Sequence, residues 1–132
     1  FVEQNYRSKT DSKSRALAGL SMGGLQTLYA GIYNPDLFSH LGVFSSGWLP
    51  SQRNIADRQY DYLKKNSGII NDKVTLWIAM GGKEDIAYEN CQVMLSKFKE
   101  LNIDYIYHEY PGGHTWPVWR NNLYIFTPLL FK

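Results

Sequence analysis

The serine at position 21 stands in a sequence that would make its hydroxyl a nucleophile. It lies in Gly19-Leu20-Ser21-Met22-Gly23-Gly24, after the short apolar run Arg15–Leu20 and before a helical pattern of apolar residues. A strand, a sharp turn with serine at its apex and a following helix form a nucleophile elbow. We expect the apex serine to have a positive φ angle, at a cost of about 1 kcal/mol or more. We also expect Gly19 and Gly23 to be required, because strand and helix approach closely at such a turn.

A serine hydroxyl needs a base to remove its proton, and this motif alone also occurs by chance in ordinary loops. In parallel α/β sheets, functional groups collect in the loops that follow the C-terminal ends of the strands. Of the three histidines, His40 opens a predicted strand and His108 lies inside one. His114 follows a strand, in a loop that begins Pro-Gly-Gly and lets the backbone bring the ring to its target. The sequence therefore predicts His114 as the base and His108 as a structural histidine.

The base in turn needs a carboxylate to orient it. Asp85 follows the most apolar predicted strand, Val74–Met80, at its C-terminal end, and Glu84 is its immediate competitor. We favour Asp85, and Glu84 stays open as the alternative. The resulting chain order of Ser, Asp and His is the order found in α/β-hydrolases.

The elements that must position these residues alternate along the chain. Short apolar or β-branched runs predict strands, and amphipathic stretches between them predict helices. The expected strands are Arg15–Leu20, His40–Ser46, Val74–Met80 and Asp104–Tyr110, and the expected helices are Gly23–Tyr33, Ser51–Asn66, Ile86–Leu101 and Trp116–Lys132, the last broken near Pro128. We expect Gly68 and Asn71-Asp72 to end the second helix. Alternating strands and helices predict one α/β unit with a parallel sheet.

The composition excludes several classes of protein. The chain has 132 residues, 44% hydrophobic and 20% charged, with a formal net charge of +2. This charge is too small and too scattered to indicate nucleic acid as a partner, and no apolar run could cross a membrane. Neither a metal-ligand spacing nor a phosphate-binding glycine loop is present, so we expect no metal and no cofactor. The one cysteine, Cys91, lies in an apolar helical stripe and is predicted to be buried.

Four motifs in order make the sequence recognisable. They are Ala18-Gly-Leu-Ser-Met-Gly-Gly24, Phe44-Ser-Ser-Gly47, Gly82-Lys-Glu-Asp85 and Pro111-Gly-Gly-His-Thr-Trp116. From about Tyr6 to Phe131 the chain resembles the bacterial feruloyl and acetyl-xylan esterases of the esterase D-like group, which belong to carbohydrate esterase family one and are appended to some xylanases. The resemblance implies an α/β-hydrolase fold with Ser21 as nucleophile, Asp85 as acid and His114 as base. It also implies a secreted or periplasmic protein.

The chain departs from this family in one respect. Members carry about half of their hydrolase domain before the elbow, whereas only twenty residues precede Ser21 here. We therefore expect residues 1–132 to form the C-terminal part of a hydrolase domain without its first strands. The N–H of Met22 is the expected oxyanion donor, and the chain offers no candidate for a second donor. The strand at Arg15–Leu20 would have an unpaired edge, so we expect self-association or pairing with the missing half.

The expected activity is two-step hydrolysis of acyl esters of plant cell-wall polysaccharide through an acyl-enzyme. Trp48 and Trp116, together with Trp119, are candidates for the substrate pocket, although core packing is an equal alternative for each. A hydrolase of small esters or thioesters, of the S-formylglutathione hydrolase kind, is the alternative among enzymes. A non-catalytic hydrolase-like module that binds carbohydrate or another subunit is the alternative from a different class.

Overall fold

A parallel four-stranded sheet is the framework of the molecule, whose computed structural model describes residues 1–132. Its strands β1 to β4 are neighbours in chain order, and β1 lies at an edge. The strands are Ala16–Leu20, His40–Phe44, Thr75–Met80 and Ile106–Glu109. Parallel neighbours require crossover connections, which helices supply here. The predicted α/β class is confirmed.

Five helices connect or flank the strands. They are α1 (Val2–Asn5), α2 (Met22–Ile32), α3 (Arg53–Lys73), α4 (Tyr88–Glu100) and α5 (Trp116–Phe126). A final 3₁₀ turn at Thr127–Leu129 ends the helical region where the sequence predicted a break near Pro128. None of these helices combines the length and apolar character needed to cross a bilayer.

Helices cover both faces of the sheet. Successive residues of a strand point to opposite faces, so each face presents its own set of side chains to the helices that pack on it. On one face β2 and β3 pack against α2, α3 and α4, which contribute Leu28, Leu63 and Phe98 to the larger core. On the other face Phe44, Trp77 and Ala79 pack with Phe126 of α5. The result is a helix–sheet–helix sandwich in which the strand ends are left free to carry loops.

Cys91 lies fully buried in the larger core, as the sequence predicted. Burial raises the pKa of its thiol to about 12. A thiol in this environment stays protonated at neutral pH, and the thiolate is the reactive form. Cys91 therefore belongs to the packing of the protein.

The prediction for α3 was wrong at its end. The helix runs from Arg53 to Lys73 without a break at Gly68 or at Asn71-Asp72. Glycine in a helix lowers stability by about 1 kcal/mol relative to alanine. This cost is too small to end a helix whose following turn is held by buried side chains. Leu63 and Ile70 of α3 are buried on either side of Gly68 and hold the helix against the core.

The start of α4 also differs from the prediction. The helix begins at Tyr88, two residues after the predicted start at Ile86. Asp85, Ile86 and Ala87 form a turn instead, which leaves the Asp85 carboxylate free to bond to the backbone. The carboxylate is thereby placed at the end of β3, beside the loop that carries His114.

Candidate active site

Ser21 occupies a strained turn between β1 and α2. Its φ and ψ angles are 54° and −120°, which is a costly conformation for a residue with a side chain. The Ser21 N–H donates a 2.8 Å hydrogen bond to the carbonyl of Phe44, which fixes the turn to the end of β2. The positive φ expected from the sequence is confirmed.

The two glycines of the elbow differ in their steric requirement. A Cβ at Gly19 would overlap the backbone carbonyl of Gly23, so only glycine fits at position 19. A Cβ at Gly23 would meet nothing within 4 Å, and the expected need for glycine there was wrong. The crowded glycine in the first turn of α2 is Gly24, where a Cβ would press on the Ser46 side chain.

The histidine expected to act as base lies against Ser21. Nε2 of His114 is 2.9 Å from Oγ of Ser21, and Nδ1 is 2.8 Å from Oδ1 of Asp85. The loop between β4 and α5 holds the ring there, and the Gly82 N–H anchors that loop by a 2.6 Å bond to the carbonyl of Gly112. The structure thus brings three predicted residues, 93 positions apart at their extremes, into one hydrogen-bonded line.

Asp85, and not the alternative Glu84, is the acid that reaches the imidazole. Its residue surface is 3% exposed, while Glu84 lies exposed at the surface. Oδ1 of Asp85 accepts a 2.9 Å hydrogen bond from the Ala87 N–H, and Oδ2 accepts a longer one from the Gly81 N–H at 3.3 Å. These backbone donors fix the carboxylate at the end of β3.

The environment of Asp85 favours its charged form. Burial alone would raise the pKa of this carboxyl, but the nearby Ser45 hydroxyl, the Ala87 N–H and His114 outweigh burial and lower it. Ser45 Oγ is buried and makes no hydrogen bond of standard geometry. We therefore assign the lowered pKa chiefly to the bonds from Ala87 and His114, whose lengths are 2.9 and 2.8 Å.

A cavity of about 180 Å³ opens beside Ser21 and His114. Its apolar lining includes Met22, Leu25 and Ile86. Met22 is the first residue of α2, and the first N–H groups of a helix have no intrahelical acceptor. This end of α2 therefore presents a free donor beside the Ser21 hydroxyl.

The tryptophans predicted to bind substrate do not line this cavity. Trp48 is 8% exposed, packs against Phe98 and donates its indole N–H to Gln59 at 2.7 Å, so it is mainly a core residue. Trp116 is 66% exposed and lies edge to face with Trp119, 5.3 Å between ring centroids. A substrate contact for either residue stays a prediction.

The other two histidines lie away from Ser21. His40 is the first residue of β2, at the opposite end of the strand, and its Nδ1 is 2.8 Å from the Ser39 hydroxyl. His108 stacks on Trp77 within the smaller core, with ring centroids 5.9 Å apart. His40 thus lies at the start of its strand, as expected, and the position of His108 agrees with the structural role expected of it.

Two groups at the site were missed at the sequence level. The Ala87 N–H bonds the carboxylate two residues earlier in an Asx turn, a pattern that the Asp-x-Ala spacing alone could have suggested. Asn90 lines the cavity from the first turn of α4, and nothing in its sequence context marks it.

The chain is similar in sequence and in fold to known esterases. The model of the Esterase family, described as "Putative esterase", matches residues 1–127. Over 52 residues the chain is 36% identical to an endo-1,4-beta-xylanase/feruloyl esterase of Xylanibacter ruminicola, an alignment that covers 39% of this chain and 7% of that protein.

Solved structures share the fold at low sequence identity. A ferulic acid esterase superposes with a TM-score of 0.82 at 22% identity, covering 97% of this chain and 54% of its own. An S-formylglutathione hydrolase from Staphylococcus aureus superposes with a TM-score of 0.74 at 21% identity, and the match covers 94% of this chain and 55% of the hydrolase. The predicted α/β-hydrolase fold is confirmed, and the chain spans about half the length of these structures. Because the family model covers nearly all of its residues, the chain belongs to the esterase family.

Proposed function

We propose that this chain carries the catalytic groups of a serine carboxylic-ester hydrolase. The single observation that supports the proposal most strongly is the continuous line from Ser21 Oγ to His114 to Asp85, with separations of 2.9 and 2.8 Å. A nucleophile, a base and an orienting carboxylate in hydrogen-bonding contact are what acyl transfer by serine requires. The strain at Ser21 supports the same assignment, because strained residues cluster at functional sites.

The proposed reaction has two steps. In the first, His114 Nε2 accepts the Ser21 proton while Oγ attacks the ester carbonyl, and the proton then passes to the departing alcohol oxygen as its bond to carbon breaks. In the second, His114 accepts a proton from water as the water oxygen attacks the acyl carbon. His114 then returns that proton to Ser21 Oγ as the bond from Oγ to the acyl carbon breaks, which releases the acid and restores the Ser21 hydroxyl. Asp85 orients the imidazole and stabilises its protonated form.

The oxyanion of each tetrahedral intermediate requires hydrogen-bond donors. We assign the Met22 N–H to this role, because it lies at the N-terminus of α2 directly after Ser21. The partial positive charge at the start of a helix adds to this stabilisation. An acyl-transfer site with a single donor is expected to lose about 100- to 1,000-fold in rate relative to a site with two.

The proposed substrates are acyl esters of plant cell-wall polysaccharide, with feruloyl or acetyl as the acyl group. The motifs shared with esterases of this type and the likeness to a xylanase/feruloyl esterase support this choice. On the same grounds we place the protein outside the cytoplasm, secreted or periplasmic.

A substrate panel tests the proposal. We expect hydrolysis of methyl ferulate or acetylated xylan and loss of turnover in Ser21→Ala. If S-formylglutathione is hydrolysed faster than methyl ferulate and acetylated xylan, the result would favour the alternative function of a thioester hydrolase. Failure on every ester and thioester, with folding intact by circular dichroism, would favour a non-catalytic module.

We also propose that the outer edge of β1 pairs with a further strand, from a second copy or from a preceding segment. β1 is an edge strand whose residues are only partly buried, and Ala18 is exposed. An open strand edge recruits another strand because its N–H and C=O groups lack partners. A stable monomer by light scattering would argue against this pairing.

A further inference from the structure

A second and larger cavity opens next to the one at Ser21. It measures about 560 Å³ and lies between the first half of α3 and the outer face of α4. This volume is within the range of pockets that bind small molecules. Leu49 and Asn90 line both cavities, so the two spaces adjoin at these residues.

The lining of the larger cavity combines apolar surface with polar groups. Arg53, Asp57 and Tyr60 project from one side of α3, at spacings that place them on the same helical face. Trp48 and Leu49 contribute apolar surface from the segment that precedes α3. The cavity at Ser21 differs in that no lysine, arginine or carboxylate side chain is among its lining residues.

Three polar side chains of the cavity are free to bind a ligand. Arg53 and Asp57 take part in none of the four ion pairs of the protein, although both line the cavity. Asn90 is half-buried at the junction, and its amide lacks a partner of the kind that Gln92, on the same helix, has in Tyr107. An amide, a guanidinium and a carboxylate together offer both donors and acceptors.

We infer that the space between α3 and α4 is a subsite for the sugar residues of an ester-bearing oligosaccharide. Sugar hydroxyls both donate and accept hydrogen bonds, so they can pair with all three of these side chains. The apolar faces of a sugar ring match the apolar lining that Leu49 and the exposed Val93 provide. The inference rests on the proposed function in one respect, since it assigns the acyl group to the smaller cavity at Ser21. The sugar then extends past Asn90 into the larger one.

Binding of an unesterified sugar tests the subsite without catalysis. The probe is linear β-1,4-xylotetraose, titrated into the Ser21→Ala chain and followed by NMR. We expect saturable binding that weakens about fivefold in Arg53→Ala and in Asn90→Ala. Arg58→Ala is the matched control, because Arg58 is exposed on α3 and does not line the cavity. No binding, or equal binding by all variants, would overturn the inference.

A kinetic ratio separates this inference from the proposed function. We expect Arg53→Ala to lower the ratio of kcat/KM for acetylated xylotetraose over p-nitrophenyl acetate about fivefold, and Arg58→Ala to leave the ratio unchanged. An unchanged ratio in Arg53→Ala, or a selective loss on methyl ferulate, would contradict a sugar subsite. Absence of turnover of every ester by the unaltered chain would refute the proposed function, and xylotetraose binding would still decide the subsite.

Discussion

The indole ring of Trp119 lies perpendicular to the imidazole of His114, with ring centroids 5.0 Å apart and an interplanar angle of 88°. The two ring nitrogens of His114 already bond to Asp85 and Ser21, so this contact supports the ring from a further side. Edge-to-face aromatic pairs contribute about 0.5–1.5 kcal/mol beyond their burial. Trp119, from the first turn of α5, therefore helps to fix the orientation of the histidine.

Replacing Trp119 tests this positioning role. We expect Trp119→Ala to lower kcat on p-nitrophenyl acetate about three- to tenfold with little change in KM, because the imidazole loses a packing contact. Trp119→Phe should recover most of the loss. Tyr124→Ala is the control, since Tyr124 lies on the same helix and is 77% exposed. Equal losses in the Tyr124 and Trp119 variants would contradict the assignment.

The elbow glycines offer a matched pair of substitutions. Gly19→Ala should destabilise the protein by about 1–3 kcal/mol, because the new Cβ would overlap the Gly23 carbonyl. Gly23→Ala places its Cβ in open space and should have a much smaller effect. Urea denaturation measures both free energies of unfolding. A comparable loss in the two variants would show that the close approach at Gly19 is misjudged.

At Gly68, unlike Gly19, replacement by alanine is expected to stabilise the protein. It lies exposed inside α3, where an added Cβ would meet nothing within 4 Å, so Gly68→Ala should stabilise the protein by about 0.5–1 kcal/mol. Gly31→Ala in α2 should instead destabilise it, because its Cβ would overlap the buried Leu41 side chain. Thermal and urea unfolding compare the two. Destabilisation by Gly68→Ala would indicate that α3 is broken there after all.

The lowered pKa of Asp85 predicts a pH dependence of stability. The folded state favours the carboxylate more than the unfolded state does, so the contribution of Asp85 is present above its ordinary pKa of 3.8. It is lost as the pH falls through the lower folded value. The free energy of unfolding should therefore decline more steeply below pH 4 in the wild type than in Asp85→Asn. Asp61→Asn, at an exposed position of α3, should follow the wild type, and parallel curves for all three proteins would contradict the expectation.

Much of the fold and the candidate site follows from local sequence signals. The strand at Thr75–Met80 is almost wholly apolar, and a turn that carries Asp85 follows it directly. The loop before α5 offers His114 after two glycines. Because parallel strands end at the same edge of a sheet, placing each residue after a strand was enough to place the three together.

The features that escaped prediction depend on tertiary packing. Gly68 looks like a helix end, but Leu63 and Ile70 anchor α3 on both sides of it. The two alternatives that the sequence left open for Trp48, core and pocket, could not be separated either, because the residue packs against Phe98, bonds to Gln59 and also lines the cavity between α3 and α4. Neither outcome can be predicted without knowledge of what α3 and Trp48 pack against.

Reaction with a fluorophosphonate probe, followed by intact mass measurement, tests the central claim most directly. The probe reacts with an activated serine and requires no knowledge of the substrate. We predict a single label on the unaltered chain that is absent from both Ser21→Ala and His114→Ala, because the serine is activated only through the 2.9 Å contact with His114. An unlabelled wild-type chain, or a label that persists in Ser21→Ala, would contradict the assignment of Ser21 as the nucleophile.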